Sequence, residues 1–239
     1  MQQLIFNLFP PPPPTFENYL VGNNEELISA LKTFLDTHIQ GVANPVMSTM
    51  SLHLWGATGV GKSHLLAAAA DYAQKRAYPI HLVVPGALPA LSQNQPPALW
   101  LVDDIEAANE ETQAFLFTLY NLLRELGGAL LTAALLPPSQ LLLRSDTRTR
   151  LGWGVVYEVT RLDDDQKTRA LIDYARTRGL ILTIDIIRYL LKTTKRDMRS
   201  LTVILDALDR YSLTLKRPLT LPLVRAWLQE QAMKGSIDC

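Results

Sequence analysis

Residues 56–63 have the types and the spacing of a phosphate-binding loop. They read Gly-Ala-Thr-Gly-Val-Gly-Lys-Ser and match the pattern G-x-x-x-x-G-K-[ST]. Glycines let the backbone pass close to phosphates with its amide groups turned inward. Lys62 is placed to reach the β- and γ-phosphates, and the Ser63 hydroxyl to bind Mg²⁺. A strand pattern before the loop and a helical pattern after it add a helix N-terminus, so the segment predicts a nucleotide phosphate site.

Two carboxylates follow a second apolar segment. Leu99–Val102 reads as a buried strand, and Asp103 and Asp104 come directly after it. In nucleotide-hydrolysing sites, the first such carboxylate holds Mg²⁺ through water and the second orients the attacking water. A strand that runs into a polar turn would look the same by itself. The position downstream of the glycine loop favours the hydrolytic interpretation.

The first residues resemble a short peptide ligand. Gln3 precedes three spaced apolar side chains, Leu4, Phe6 and Leu8, and the run Pro10–Pro14 follows. An amide for a polar pocket and apolar anchors for a groove suit an extended peptide bound by a partner. The prolines predict a stiff polyproline II spacer, at about 3.1 Å per residue. The alternative is a frayed terminus or an edge strand that packs on the core.

The pattern of secondary structure changes near residue 160. Before it, strands alternate with helices, which is typical of a mostly parallel α/β sheet. Strands are predicted at 51–55, 79–84, 98–102, 129–133 and 155–159, with helices at 62–75 and 112–126. After it, only helices are predicted, at 163–178, 185–193, 197–211 and 221–233. We expect an α/β domain at 15–160 and a small all-α domain at 161–234, between the 1–14 peptide and a 235–239 tail.

The composition narrows the possible partners and the compartment. Lys and Arg number 23, as do Asp and Glu, so no general basic field coats nucleic acid, and any DNA contact is local or indirect. The one cysteine, Cys239, rules out a disulfide framework and suits a reducing cytoplasm. No apolar run approaches the roughly 18 residues of a membrane span. We expect a cytoplasmic protein without a membrane partner.

Five segments together resemble the ATPase domain of the DnaA family. Thr-Phe-Glu-Asn-Tyr-Leu-Val-Gly-Asn-Asn at 15–24 is similar to the segment that opens that domain, and residues 61–66 and 102–106 are similar to its two nucleotide motifs. Thr-Arg-Leu-Gly-Trp-Gly at 149–154 resembles the box with the arginine finger, and residues 196–201 resemble the sensor 2 helix. The resemblance spans residues 15 to about 233. It implies an AAA+ P-loop core with a mostly parallel sheet, followed by an all-α lid.

The resemblance also implies which residues contact ADP or ATP. Apolar side chains at Phe16, Tyr19, Leu20 and Val21 would line the adenine pocket. Around the phosphates it implies Gly56, Gly59, Val60, Gly61, Lys62, Ser63, His64, Thr132 as sensor 1 and Arg199 as sensor 2. Ser63 and Asp103 would hold Mg²⁺, and Asp104 would serve hydrolysis. For Arg199 the alternative is an ion pair with Asp197 or Asp206 on the lid.

Arg150 occupies the position of the family's arginine finger. Such a residue stabilises transition-state charge on a nucleotide held by a neighbouring subunit. Arg144 and Arg148 lie close in sequence and could be mistaken for it. The alternative for Arg150 is a solvated charge at a helix end.

The sensor 1 region departs from the family pattern. The family has an acidic residue and an arginine just after the threonine, whereas Ala133, Ala134 and Leu135 follow Thr132 here. The departure predicts weak ATP turnover by the chain itself. The intact Lys62 predicts that nucleotide still binds.

The order of peptide, core and lid resembles the Hda family of DnaA-related regulators. This resemblance implies docking on the DNA sliding clamp through residues 3–8, with DnaA as the second partner and DNA reached indirectly through the clamp. It implies that Arg150 stimulates hydrolysis of DnaA-bound ATP, a negative regulation of replication initiation, and is compatible with a homo-oligomer. The alternatives are a self-contained DnaA-like ATPase, or an adaptor that loads or recruits another replication protein.

Overall fold

The computed structural model describes residues 13–40, 49–194 and 197–235. Side chains of Thr177, Arg199 and residues 232–235 lie outside that description. Outside it too are the predicted peptide residues Gln3, Leu4, Phe6 and Leu8. The chain divides into two compact units, with the division after Arg161.

A five-stranded parallel sheet forms the centre of the first unit, in the order β2-β3-β4-β1-β5. The strands are β1 (Ser51–Trp55), β2 (Ile80–Leu82), β3 (Leu99–Val102), β4 (Ala129–Ala134) and β5 (Val155–Glu158). The three inner strands are almost entirely buried, as expected for a parallel sheet covered on both faces. The predicted α/β fold class is confirmed.

Four helices cover the sheet: α1 (Glu25–Gln40), α2 (Lys62–Gln74), α3 (Glu110–Leu126) and α4 (Ser145–Trp153). The helices α1 and α4 were not among the predicted elements. In α1, acidic residues begin the first turn and Leu31, Phe34 and Leu35 are fully buried. In α4 only Thr147 and Leu151 are buried, so its sequence carries little apolar periodicity.

Side chains alternate along each strand and divide the first unit into two layers. Leu52 and Leu54 of β1 belong to the core shared with α1 and α2. Trp100 and Val102 of β3 belong to a second core with α3 and α4 on the other face. Because the strands are parallel, the carboxyl ends of β1, β3 and β4 meet at one edge of the sheet.

A buried polar pair links β1 and β4. His53 and Thr132 are register partners, and the Thr132 Oγ1 hydroxyl lies 2.7 Å from His53 Nδ1. The carbonyl of Leu136 lies 3.4 Å from Nε2, which assigns the ring proton to that nitrogen. Burial disfavours the imidazolium and lowers the pKa of His53 to about 4, with the Leu136 hydrogen bond opposing it.

We expect this pair to make the folded chain sensitive to mild acid. The unfolded state binds the His53 proton near its ordinary pKa of 6.5 and the folded state only near 4, so stability falls as pH drops from about 6.5 to about 4. By pH 5 the loss in unfolding free energy is about 2 kcal/mol. Urea unfolding at pH 7.5 and pH 5 measures it.

The matched variant for this prediction is His53→Asn, which keeps a hydrogen-bonding side chain but does not titrate. Its own stability is lower, and only the difference between the two pH values matters. Burial also lowers the pKa of His38 and His64, so a smaller slope of the same sign remains. An unchanged pH dependence in His53→Asn would contradict the prediction.

The second unit is a bundle of four helices: α5 (Asp164–Thr177), α6 (Ile184–Thr193), α7 (Met198–Leu215) and α8 (Leu221–Gly235). Asp163 begins α5 with a capping box to Gln166, and Gly179 follows its end with φ 72°. Asp197 caps α7 by accepting from the Ser200 amide. Within the described ranges, no helix is long and apolar enough to cross a bilayer.

Candidate functional site

The glycine loop connects β1 to α2 in a conformation that side chains would block. Gly56 has φ 151°, and a Cβ there would lie 2.6 Å from the carbonyl oxygen of Val159. Gly61, at the N-cap of α2, has φ 105°, and a Cβ there would lie 2.9 Å from the Tyr19 ring. Both glycines are therefore required by backbone conformation and by close packing.

Lys62 turns its ammonium group back into this loop. The side chain is only 6% exposed, and its Nζ donates to the carbonyls of Gly56 at 2.7 Å and Ala57 at 3.2 Å. Ser63 follows it in the first turn of α2 and is exposed. A buried ammonium group and a helix N-terminus thus adjoin the same loop, with Ser63 in the first turn, an arrangement suited to phosphate groups.

The two carboxylates lie at the same edge of the sheet. The amide of Gly56 donates to the carbonyl of Ala134, 3.2 Å away, which joins the loop to the end of β4. On the other side of β4, Val102 pairs with Thr132, so Asp103 comes next to Ala133. Asp104 has φ 46° and ψ 51°, a left-handed conformation that costs about 1–2 kcal/mol. The structure therefore brings Lys62, Ser63, Asp103 and Asp104 to adjoining strand ends.

Glu106 adds a third carboxylate that the sequence analysis missed. Its Oε1 accepts from the amide of Leu135 at 3.1 Å, directly after β4. The sensor 1 segment lacks an acidic residue of its own, and a carboxylate from the segment after β3 contacts it instead. Nothing in the local sequence around Glu106 indicates that its loop folds back onto the end of β4.

Thr132, predicted as sensor 1, is not brought to this edge. It is 1% exposed, its hydroxyl bonds to His53, and it shares a sheet face with Val102 and α3. Distance along the strand explains the placement, since the loop is bonded to the carbonyl of Ala134, two positions nearer to the carboxyl end of β4. A nucleotide-sensing role for Thr132 stays a prediction.

The segment opening the first unit packs beside the loop. Phe16 is 6% exposed and meets Tyr72 of α2 edge-on, at 5.7 Å between ring centroids. Tyr19 is buried, and its pKa is raised by burial to about 12. His64 lies 5.4 Å from the Tyr19 ring and donates to the carbonyl of Thr15. Among the predicted adenine contacts, Phe16 and Tyr19 therefore belong to the core.

Leu20 and Val21, which complete that predicted group, are half-buried. Val21 and Val60 of the loop both pack against the core cluster of α1 and α2. These apolar surfaces therefore run next to the loop, in a position suited to one wall of a base pocket.

Three hydrogen bonds between Asn24 and Thr160, which the sequence analysis missed, hold the loop after β5. Asn24 Oδ1 accepts from the amide of Thr160 at 2.8 Å and from its hydroxyl at 3.0 Å, and Asn24 Nδ2 donates to the Thr160 carbonyl at 3.1 Å. The next residue, Arg161, donates to the Thr58 carbonyl of the glycine loop at 3.4 Å. Asn24 and Thr160 are far apart in sequence, so no local pattern reveals their pairing.

Arg150 belongs to α4, on the other face of the sheet, and its side chain packs against α3. Its guanidinium stacks on Phe117, 3.7 Å from the ring centroid, with Tyr120 and Trp153 within 6 Å. Its Nη2 donates to Asn121 Oδ1 at 3.4 Å. Its buried Nε has no hydrogen-bond partner among the described residues. The guanidinium therefore keeps unused donor capacity.

The two neighbouring arginines differ from Arg150 in their contacts. Arg144 forms an ion pair with Asp146 at 3.0 Å, which occupies its charge locally. Arg148 is half-buried and has no ion pair within the described part of the chain. The aromatic contacts therefore distinguish Arg150 from both.

Arg199 lies in the first turn of α7, and its side chain is outside the described set. Both carboxylates named as alternative partners already have contacts. Asp206 pairs with Arg178 at 3.1 Å and accepts from the Tyr174 hydroxyl, and Asp197 caps its helix through Ser200. A sensor 2 role for Arg199 stays a prediction.

Comparison with known proteins places this site in a family context. Residues 164–228 match the family model described as "Hda, lid domain". Domain III of the replication initiation protein DnaA from Thermotoga maritima has a TM-score of 0.69 at 17% identity, covering 93% of this chain and 98% of that one. AMPPCP-bound DnaA from Aquifex aeolicus has a TM-score of 0.66 at 23% identity, covering 84% of this chain and 66% of that one. The Holliday junction branch migration motor RuvB of Thermotoga maritima has a TM-score of 0.64 at 14% identity, covering 91% and 72%.

The parallel sheet, the glycine loop after β1 and the helical second unit define an α/β protein with a helical lid, the fold of the solved DnaA and RuvB structures. Its lid matches the Hda model, and its fold is shared with DnaA.

Proposed function

We propose that the chain binds an adenine nucleotide, ADP or ATP, with Mg²⁺ at residues 56–63. The glycine conformations, the inward ammonium of Lys62 and the start of α2 support this proposal, as does the fold shared with an AMPPCP-bound DnaA. Ser63 and Asp103 would hold the Mg²⁺. Phosphate and water oxygens would complete its shell, because no larger cluster of His, Cys, Asp and Glu occurs in the described ranges. The ion would neutralise phosphate charge.

The principal activity that we propose is stimulation of DnaA-bound ATP hydrolysis, a negative regulation of replication initiation. The observation that carries it is the position of Arg150, which packs with α3 and α4 while the glycine loop leads into α2 on the opposite face. An arginine so placed is directed away from the chain's own nucleotide. It suits a guanidinium that stabilises transition-state charge on a partner's ATP.

Hydrolysis by the chain itself would be weak. Ala134 stands at the end of β4 where the family has polar groups, and Thr132 is engaged by His53. Asp104 remains in place to orient a water molecule. The nucleotide would then serve mainly to order the glycine loop and the segment of Tyr19 that packs on it.

Docking on the DNA sliding clamp completes the proposal. Gln3, Leu4, Phe6 and Leu8 have the pattern of an extended peptide with one polar and three apolar anchors. A clamp-bound chain would act in the cytoplasm and close to DNA. Arg150 would then meet DnaA at a raised effective concentration.

The test is the rate of DnaA-bound ATP hydrolysis in the presence of DNA-loaded clamp. We expect the intact chain to accelerate it, and Leu4→Ala/Phe6→Ala to lose most of that acceleration. The matched control is Ile5→Ala/Asn7→Ala, which changes the two positions between the anchors and should keep it.

Other outcomes of the same assay distinguish the alternatives. ATP turnover by the intact chain alone, with no effect on DnaA, would indicate a self-contained ATPase. Clamp binding without any change in the hydrolysis by DnaA would indicate an adaptor.

A further inference from the structure

The neutral charge of the chain conceals a separation between its two units. Residues 1–161 contain 9 Lys and Arg against 13 Asp and Glu, and residues 162–239 contain 14 against 10. The lid unit therefore carries a net charge of +4 and the core unit −4. A whole-chain sum does not reveal a basic module of this kind.

Exposed cations of the lid lie together on α6 and α8. Arg188 and Lys192 are four residues apart on α6, about 6 Å along the axis, and both are exposed. Arg225 of α8 is exposed and stacks on Tyr189, 5.2 Å from the ring centroid, which places it next to α6. We call Arg188, Lys192 and Arg225 the basic stripe. In the described residues, neither Arg188 nor Lys192 has a carboxylate partner.

The two helices that carry this stripe contain one acidic residue each. Asp185 lies one turn before Arg188 on the same side of α6, and Glu230 lies on α8. Elsewhere in the lid, Asp206 is paired with Arg178 and Asp163 caps α5. The stripe therefore keeps a positive excess.

The chemistry of the stripe favours duplex DNA over a bilayer or a single strand. The apolar side of α6, with Ile186, Ile187, Leu190 and Leu191, is buried in the lid core and cannot enter a membrane. Tyr189 has one face covered by Arg225 and packs against the lid core, so no stacking platform for unpaired bases is available there. Long exposed cations on a rigid helix suit phosphate oxygens.

We propose that the stripe of Arg188, Lys192 and Arg225 contacts the phosphate backbone of duplex DNA, without reading its sequence. The contact lies within the lid unit, depends neither on nucleotide nor on DnaA, and goes beyond the proposed function. Binding is weak, with a Kd on the order of 10⁻⁵ M at moderate salt, and falls steeply as salt rises.

The test is fluorescence anisotropy of a labelled duplex of about 20 base pairs, titrated with the full chain over a series of KCl concentrations. Arg188→Gln/Lys192→Gln is expected to lower the affinity about tenfold at low salt and to reduce the slope of log K against log [KCl] by about 1.8. Asp185→Asn is expected to raise the affinity. The control, Lys75→Gln/Arg124→Gln, removes the same charge from exposed positions of the core unit and should leave both quantities nearly unchanged.

Several outcomes would overturn the proposal. These are no duplex binding by the intact chain, equal losses in the control and the stripe variant, or tighter binding of a single strand of the same length. Binding to phosphatidylglycerol vesicles in preference to the duplex would do so as well. Matching thermal unfolding of all the variants shows that a loss of binding is not a loss of fold.

Discussion

Replacing Arg150 by Ala is expected to abolish the acceleration of DnaA-bound ATP hydrolysis, a loss of about 10³-fold where the guanidinium supplies transition-state charge. The variant should still fold, because the half-buried side chain contributes cation–π contacts worth about 1–2 kcal/mol and two long hydrogen bonds of 3.3 and 3.4 Å. Its nucleotide affinity should stay the same, because the glycine loop leads into the helix on the other face of the sheet. Hydrolysis of radiolabelled ATP on DnaA, with DNA-loaded clamp, measures the effect.

Two further variants make this prediction specific to the guanidinium of Arg150. Arg150→Lys keeps the charge but loses the planar donors, and should recover little activity. Arg144→Ala removes a neighbouring arginine whose charge is already paired with Asp146, and should retain most of the stimulation. Full activity in Arg150→Ala, or its loss only in Arg144→Ala, would assign the finger to a different residue.

The Lys62→Ala variant is expected to bind ADP or ATP about 10- to 150-fold more weakly than the intact chain. A hydrogen bond to a charged group contributes about 1.5–3 kcal/mol, and the Lys62 ammonium already points into the loop through the carbonyls of Gly56 and Ala57. Titration with a fluorescent adenine nucleotide and Mg²⁺ measures the change in Kd.

The control for Lys62 is Lys75→Ala, at the other end of the same helix. Lys75 is exposed and forms a surface ion pair with Asp71, so its removal should leave the Kd unchanged within about twofold. If both variants bind nucleotide like the intact chain, the loop is not the nucleotide site.

Features set by short-range patterns could be predicted from the sequence. The five strands and the helices after Gly61 and Asp163 follow from apolar runs, glycines and capping residues that lie next to one another. The positions of Asp103 and Asp104 follow from the parallel direction of β3 and its neighbours.

Features that depend on distant parts of the chain could not be predicted. The carboxylate of Glu106 reaches an amide beyond β4, and Arg150 stacks on a ring 33 positions earlier in the chain. Thr132 shows a subtler limit. Its place in the strand was predicted, but the sheet face it occupies follows from register, and one step along a strand reverses the side.

The hydrogen bonds between Asn24 and Thr160 have a mechanical consequence. The three bonds join positions 136 residues apart, and Thr160 lies just before the boundary after Arg161. A tension applied to the chain ahead of Pro13 would therefore pass into the segment that follows β5 without first crossing the sheet. Asn24 therefore shares a force on the first residues of the core unit with Thr160, in the segment that leads out of that unit.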